Sequence, residues 1–294
     1  MRTYSNGLYL LEQEQVVVSI DISFAILTWN SESFLEQCLA SIHKVLEGAG
    51  LSYEILVLDN GSRDGTPGLL ERLAAERPGL IIPHYELENI GTTRSRNRLF
   101  AAAQGTFLCV MDSDVVLEGG LFGPLLSVMN SDIHNGIVVP RIRFPNGAWQ
   151  KSFDHFPTLI DKINRYFHLR AIEKRDSLRL RAATQPFCVD YAISAFWLLR
   201  RGLLDTVGLL DEKIFYSPED VDFCLRVWKA GYKILYVPTV SIVHHTQEIS
   251  RGWKINRAQL SHIKGLIYYF IKHHYLLRRP EISRLFKGAI PGFE

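Results

Sequence analysis

The chain has 294 residues, enough for one large domain or two of ordinary size. With 47% hydrophobic and 22% charged residues, an intrinsically disordered chain is excluded. The 33 basic and 31 acidic residues nearly cancel, which excludes a chain-wide polyelectrolyte binder but not a local basic patch. Four cysteines in no zinc or redox spacing predict buried, reduced thiols in a cytoplasmic protein, and neither a membrane span nor a secretory signal is recognisable.

Short apolar segments alternate with amphipathic segments as far as residue 130. After an added strand or helix in residues 1–20, the pattern predicts strands at 22–28, 53–58, 80–85 and 107–111. Helices are predicted between and after them, at 33–46, 67–77, 93–103 and 121–129. This alternation is typical of a parallel sheet covered by helices on both faces.

The pattern changes from about residue 137 onward. Asn146-Gly147 predicts a hairpin turn, and the basic segment 162–181 predicts an exposed helix or loop. The remaining predicted elements are strands at 191–200, 233–237 and 240–244, a helix at 217–230 that Ser217 could cap, and a basic, aromatic helical tail.

Polar side chains follow the predicted strands at the edge where ligands bind in such sheets. Asp112 and Asp114 are the most informative pair, because residues i and i+2 of an extended segment share a face. Two adjacent carboxylates repel each other unless a cation joins them. The pair therefore predicts a Mg²⁺ or Mn²⁺ site, with an ordinary polar turn as the alternative.

Two further acidic segments have a functional and a structural interpretation. Asp59 ends a predicted strand, where its carboxylate could accept a hydrogen bond from a nucleobase imide; turn chemistry is the alternative. Glu219, Asp220 and Asp222 open a predicted helix, where acidic residues complement the helix dipole. Asp222 could pair with Arg226 four residues later, whereas an Asp beside a bound sugar could act as a general base.

Five segments in order, 22–41, 59–66, 89–97, 111–114 and 194–238, resemble family 2 glycosyltransferases of the GT-A fold, especially bacterial rhamnosyltransferase-like members. The resemblance implies an α/β nucleotide-diphospho-sugar transferase fold, a mostly parallel sheet flanked by helices, plus a C-terminal helical extension. The implied divisions are an N-terminal extension 1–20, a catalytic domain 21–248, and a basic amphipathic extension 249–294. The nucleotide-binding half would be 21–118 and the acceptor-binding half 119–248.

The same resemblance implies roles for individual residues. Asp220 would be the catalytic base, with Trp197 and Glu219 on the acceptor side. Asp112 and Asp114 would bind the metal, joined by His244 or His245, between which the sequence does not choose. The donor would contact Thr28, Asn30, Asp59, Asn89, Arg94, Arg96 and Asp112.

The implied activity is inverting, metal-dependent transfer of a hexosyl or deoxyhexosyl group from a UDP- or dTDP-sugar, with dTDP-rhamnose among the candidates. The acceptor would be a hydroxyl of a saccharide or lipid-linked saccharide in cell-surface polysaccharide or lipopolysaccharide synthesis. Two departures from the family pattern stand out. The Gln-x-x-Arg-Trp run of processive synthases is missing, and Ser194 stands where a glycine is expected in the acceptor-side loop.

The tail predicts a surface helix. Residues 251–279 contain seven Lys or Arg and no Asp or Glu, and their apolar residues fall near one helical face. Such a helix could lie on an anionic membrane surface, placing the protein peripherally on the cytoplasmic face of the inner membrane. It could instead pack on the catalytic domain with a solvated basic face. A nucleic-acid partner is not expected, because no nucleic-acid-binding motif accompanies the charges.

Two other functions remain open from sequence. A sugar-nucleotide pyrophosphorylase would carry a Gly-rich loop with Arg and Lys after its first strand, and residues 28–33 have none. A catalytically inactive glycan- or nucleotide-binding partner in a polysaccharide assembly complex is opposed by intact Asp112, Asp114 and Asp220.

Overall fold

A computed structural model describes residues 19–161, 183–246 and 257–285. The element expected within residues 1–20 and the exposed segment expected at 162–181 lie almost wholly outside these ranges, as do residues 247–256 of the tail. Within the described ranges, no helix is both long and apolar enough to cross a membrane. All four cysteines are buried and reduced, as predicted.

The first half of the chain alternates strands and helices close to the predicted positions, and the second half is richer in short strands. The strands are β1 Ile22–Thr28, β2 Tyr53–Asp59, β3 Ile81–Tyr85, β4 Phe107–Asp112, β5 Val115–Leu117, β6 Asn135–Arg143, β7 Trp149–Gln150, β8 Phe153–Asp154, β9 Phe187–Cys188, β10 Tyr191–Ala192, β11 Phe196–Arg200 and β12 Lys233–His244. The helices are α1 Leu35–Leu46, α2 Thr66–Glu76, α3 Thr92–Ala102, α4 Phe122–Asn130, α5 Leu203–Val207, α6 Glu219–Lys229, α7 Arg257–His273 and α8 Ile282–Leu285.

One large sheet organises the fold, in the order β3-β2-β1-β4-β11-β6-β12-β5, with β7 and β9 attached at its side. β1 to β4 are mutually parallel, as predicted; β1, β2 and β4 are largely buried, whereas β3, at the edge of the sheet, is mostly half-buried. β11 runs antiparallel between β4 and β6, which makes the sheet mixed. The carboxyl ends of β1, β2 and β4 therefore meet at one edge.

The predicted strand 191–200 is wrong as a single element. β10 pairs with β8 in a separate two-stranded sheet, whereas β11 joins the main sheet beside β4. The chain changes sheets between them, where the Ile193 N–H bonds to the Ser152 carbonyl and the Ala195 carbonyl accepts from Asp112. Ser194 lies at this crossing. Because pairing with two different sheets ends one strand and starts the next, the local sequence pattern alone could not locate the break between β10 and β11.

Two other boundaries differ for local reasons. The strands predicted at 233–237 and 240–244 are one strand, β12, whose register shifts between Val237 and Ser241. Pro238 lies in that stretch and has no N–H for the ladder, which favours an irregularity there. Ser217 does not cap α6; its hydroxyl lies 2.9 Å from His262 Nδ1 of the C-terminal helix.

Helix α7 packs its inner face on α6 and on the segment that precedes it. Tyr269 and Phe270 are buried, while Lys272 Nζ lies 2.7 Å from carboxylate oxygens of both Asp211 and Asp222. The packed-helix alternative thus describes this face. At Gly265 the approach is so close that a Cβ would lie 2.2 Å from the Ser217 carbonyl oxygen.

This close approach predicts an asymmetry between two helical glycines. Gly265→Ala should lower the free energy of unfolding by about 1–3 kcal/mol, because α7 must shift away from the Ser217 backbone. Gly123→Ala in α4, where no atom lies within 4 Å, should be neutral or stabilising by up to about 1 kcal/mol. Urea unfolding of both variants measures the difference, and equal effects would contradict this packing.

A second prediction concerns the pH dependence of stability. Asp222 is fully buried; burial would raise the pKa of its carboxyl, but the His273 hydrogen bond and the Arg226 charge lower it to about 2. A carboxyl with a lowered folded-state pKa stabilises the fold above its unfolded pKa, and this stabilisation, about 2 kcal/mol, is lost as the pH falls from about 4 to 2.

The Asp222→Asn variant should therefore be less stable than the wild type at neutral pH. The difference between their free energies of unfolding should narrow as the pH falls from about 4 to 2. Urea unfolding as a function of pH measures it. Asp205→Asn, on an exposed helix position, serves as the control for loss of one acidic side chain. A stability difference that stays constant down to a pH of about 2 would argue against the ion pairing of Asp222 with Arg226 and Lys272.

Candidate active site

Three potential metal ligands converge at the edge of the main sheet. Asp112 ends β4, Asp114 precedes β5, and His244 ends β12, which pairs with β5 in antiparallel register. One ligand atom from each residue lies within 4.8 Å of the other two. His244 Nε2 is 3.2 Å from Asp114 Oδ1, and its Nδ1 is 3.2 Å from Gln150 Oε1, a contact that orients the ring.

His245 points elsewhere. Successive side chains of a strand alternate between faces, so the residue after His244 does not share its direction. The His245 ring lies against Phe34, with 5.5 Å between ring centroids, and its backbone N–H donates to the Asp114 carbonyl. The structure therefore brings His244, and not the His245 side chain, to the two carboxylates.

The electrostatics of this cluster suit a cation. Burial raises the pKa of Asp112, and the neighbouring Asp114 charge raises it further. Burial would lower the pKa of His244, but the hydrogen bond and charge of Asp114 raise it above its ordinary value. Two carboxylates and an imidazole form a donor set that fits Mn²⁺ well and Mg²⁺ acceptably. A bound divalent ion would offset the repulsion between the two carboxylates.

Arg96 joins this cluster to the helix that carries the predicted base. Its side chain is 2% exposed, and its Nη2 lies 2.7 Å from Asp112 Oδ1. Its Nη1 lies 3.2 Å from Glu219 Oε1, which also accepts a 2.9 Å hydrogen bond from the Ser194 hydroxyl. Arg96 is thus committed to two protein carboxylates, whereas Arg94 is exposed and 3.4 Å from Glu212.

Acidic groups of different accessibility lie at the start of α6. Glu219 is buried, and burial together with the adjacent Asp220 charge raises its pKa. Asp220 is half-buried, with Oδ1 accepting from the Val221 N–H at 2.8 Å. Tyr216 borders them, and burial and the Glu219 charge raise the pKa of its hydroxyl to about 12. The half-buried Asp220 is therefore the more accessible of the two carboxylates.

The predicted nucleotide-binding residues collect at the ends of β1 and β2. Thr28 pairs in register with Asp59, and its buried hydroxyl has no hydrogen-bond partner among the described residues. Both Asp59 oxygens accept from Ser62, and burial raises the Asp59 pKa. The Asn30 N–H also donates to the Ser62 hydroxyl, at 2.8 Å.

Asn89 closes this edge from the next loop. Its side-chain oxygen accepts from Asn60 Nδ2 at 3.1 Å and from the Gly91 N–H at 3.0 Å. Gly61 makes the contact of the two loops possible: its φ is +73°, and a Cβ there would lie 2.6 Å from the Glu88 backbone.

Trp197 lies in the core and not on a surface. It is fully buried, stacks on Phe223 with 5.6 Å between centroids, and donates its indole N–H to the Ala192 carbonyl at 3.0 Å. Sequence reasoning missed the bridging role of Ser194 and the position of Tyr216. The only signal for Ser194 was its occurrence at an expected glycine; Tyr216 had none.

The residues predicted to bind a nucleotide lie beside an acidic cluster, on a mixed sheet flanked by helices, and this architecture is that of glycosyltransferases of the GT-A fold. The structure is similar to that of the mannosyltransferase PcManGT from Pyrobaculum calidifontis in complex with GDP-Man and Mn²⁺, with a TM-score of 0.62 and 19% identity. The match covers 91% of this chain and 68% of that one.

The chain belongs to glycosyl transferase family 2, whose sequence profile matches residues 23–208. It is 28% identical over 240 residues to the N-acetylglucosaminyl-diphospho-decaprenol L-rhamnosyltransferase of Mycobacterium tuberculosis, covering 74% of each chain. It is also 35% identical, over an alignment of 309 positions, to the glycosyltransferase YfnE of Bacillus subtilis, and the alignment covers 92% of this chain and 74% of that one. The protein is a glycosyltransferase.

The buried bridge predicts unequal costs for two neighbouring arginines. Arg96→Met should lower the free energy of unfolding by about 3 kcal/mol, because it leaves Asp112 and Glu219 without their shared cation. Arg94→Met removes an exposed pair and should cost less than about 1 kcal/mol. Chemical denaturation at neutral pH compares them, and a similar loss in both would disprove the bridge.

Proposed function

We propose that this chain is an inverting, metal-dependent glycosyltransferase that uses a UDP- or dTDP-sugar, with dTDP-rhamnose as the leading donor. The observation that carries the proposal is the convergence of Asp112, Asp114 and His244 beside the Arg96-linked start of α6. The candidate metal ligands are thereby joined, through Arg96, to the residue next to the candidate base Asp220. The similarity to a rhamnosyltransferase supports the choice of sugar.

The donor's base and ribose would lie against Thr28, Asn30 and Asp59. A carboxylate has about four lone-pair sites, so Asp59 can accept from Ser62 and still accept from the imide N–H of uracil or thymine. The unpartnered Thr28 hydroxyl is a further polar group available to a ligand at this edge. Asn89 and Arg94, on the adjoining loop and helix, would face the diphosphate or sugar.

Asp112, Asp114 and His244 would hold Mn²⁺ or Mg²⁺, which would neutralise charge on the leaving nucleoside diphosphate. Asp220 would take the proton from the acceptor hydroxyl as that oxygen attacks the anomeric carbon. Arg96 and Ser194 would keep Glu219, the neighbour of the base, in place on the acceptor side. One displacement inverts the anomeric centre without a covalent sugar–enzyme intermediate.

The acceptor would be a saccharide or a lipid-linked saccharide of cell-surface polysaccharide or lipopolysaccharide synthesis. Support comes from the relative in Mycobacterium tuberculosis, which is named for a diphospho-decaprenol acceptor. Such an acceptor would place the protein in the cytoplasm or at the cytoplasmic face of the inner membrane.

Calorimetric titration with UDP, dTDP and GDP, each with and without Mn²⁺, tests the donor site. We expect Mn²⁺-dependent binding of UDP or dTDP that Asp114→Ala and His244→Gln abolish, since both remove a ligand. His245→Gln is the matched control and should bind as the wild type does. Asp220→Asn should also bind normally, yet lose sugar transfer by at least about a hundredfold.

Two outcomes would contradict the proposal. Failure of every nucleotide to bind, with or without Mn²⁺, would favour an inactive partner of an assembly complex. Unchanged transfer in Asp220→Asn would remove the base from that residue even if the donor site stands.

A further inference from the structure

The outer face of helix α7 carries an apolar stripe. Leu260, Ile263, Ile267 and Ile271 are spaced three and four residues apart and are 50%, 51%, 56% and 66% exposed. The inner face, by contrast, buries Tyr269. An apolar row at helical spacing that faces away from its own domain is unusual for a surface helix, because such a row normally faces the core.

A second group of exposed apolar residues lies just after α7 and on the segment that pairs with it there. The Leu159 N–H donates to the Leu276 carbonyl at 2.9 Å, which joins the segment after β8 to the segment after α7. Leu159, Ile160, Leu276 and Leu277 are all exposed. We call this group and the stripe together the apolar face; exposed apolar side chains grouped in this way indicate an interaction surface.

The charges around the apolar face are positive. Residues 257–279 contain no Asp or Glu, and Lys264 and Arg278 are exposed. Two described acids lie near this face: Asp161 is 3.1 Å from Arg279 and Glu281 is 2.7 Å from Arg284, so an arginine offsets each of them. Lys272 belongs to the inner face, where it contacts Asp211 and Asp222, so it is no part of this surface.

We propose that the apolar face docks on an anionic lipid surface. Apolar side chains with flanking cations, and with the neighbouring described acids paired to arginines, match the boundary between acyl chains and anionic headgroups. A second copy of the chain is a poorer occupant, because a two-fold interface would set the cations of one face close to those of the other. The inference rests on the proposed lipid-linked acceptor, whose carrier would lie in that surface.

The docked helix would sit next to the acceptor side of the active site. His262 Nδ1 lies 2.9 Å from the Ser217 hydroxyl, and Gly265 abuts the Ser217 carbonyl. Ser217 precedes Glu219 and Asp220 by two and three residues. Only about one helix diameter, about 10 Å, therefore separates the apolar face from the segment that carries the base. The diphosphate headgroup of a lipid-linked acceptor could reach that segment while its lipid stays in the membrane.

Pelleting of the full chain with vesicles tests the proposal. The vesicles are phosphatidylcholine alone or phosphatidylcholine mixed with phosphatidylglycerol. Wild type should pellet with the anionic vesicles only, and Ile263→Ser/Ile267→Ser/Ile271→Ser should reduce its partition at least about tenfold. Ile133→Ser, at a 74% exposed position away from α7, is the matched control and should partition as wild type.

A charge pair completes the design. Lys264→Gln/Arg278→Gln should weaken binding about fivefold for each charge removed, whereas Lys44→Gln/Arg77→Gln, exposed at other sites, should not. The proposal is overturned if the wild type pellets with neither vesicle type, or if the triple isoleucine variant binds anionic vesicles as well as the wild type does. Light scattering that shows a wild-type dimer and a monomeric triple variant would assign the face to a second copy and overturn it too.

Donor binding is measured separately, by the nucleotide titration above. Vesicle binding by a chain that binds no nucleotide would support the docking face and count against the proposed function. Nucleotide binding without vesicle binding would support the proposed function and count against the docking face. The two failures are therefore distinguishable.

Discussion

The buried guanidinium of Arg96 links the two parts of the candidate active site. It lies between Asp112, at the end of a parallel strand, and Glu219, at the start of a helix more than a hundred residues later. A charge this deep in a protein is tolerated only when opposite charges and hydrogen bonds compensate for its lost hydration. Arg96 therefore helps to hold the end of β4 and the start of α6 in one geometry, and the Ser194 hydroxyl, which bonds to both Arg96 and Glu219, completes the link.

The C-terminal helix divides its chemistry between two faces. Its inner cations and rings bind Asp211 and Asp222, which ties α7 to the helix that begins at Glu219. Its outer face carries isoleucines to the surface instead of to the core. The basic residues of the tail thus divide between two faces, whereas the sequence left open whether the tail packs on the domain or lies on a membrane surface. Lys272 and Lys264, eight residues apart, fall on different sides of this division.

The local sequence pattern predicted those strands and helices whose formation depends on nearby residues alone. β1 to β4 are short apolar runs bounded by polar residues, and their helices have regular spacing, so strand type and parallel order followed from the alternation. The break at Ser194 did not follow, because residues 191–200 read as one apolar strand and part only where the chain passes from one sheet to another. Trp197 likewise matched a family motif, yet the sheet places it in the core against Phe223.

By itself, the sequence determined the family, the parallel half of the sheet and the acidic residues at its edge, because these depend on residue type and short spacing. The tertiary structure decided which histidine joins Asp112 and Asp114, since the pairing of β12 with β5 sets which face His244 occupies. It also decided that Arg96 bridges carboxylates and that the isoleucines of α7 face outward. Those outcomes depend on contacts between residues far apart in the chain, and no local pattern encodes such contacts.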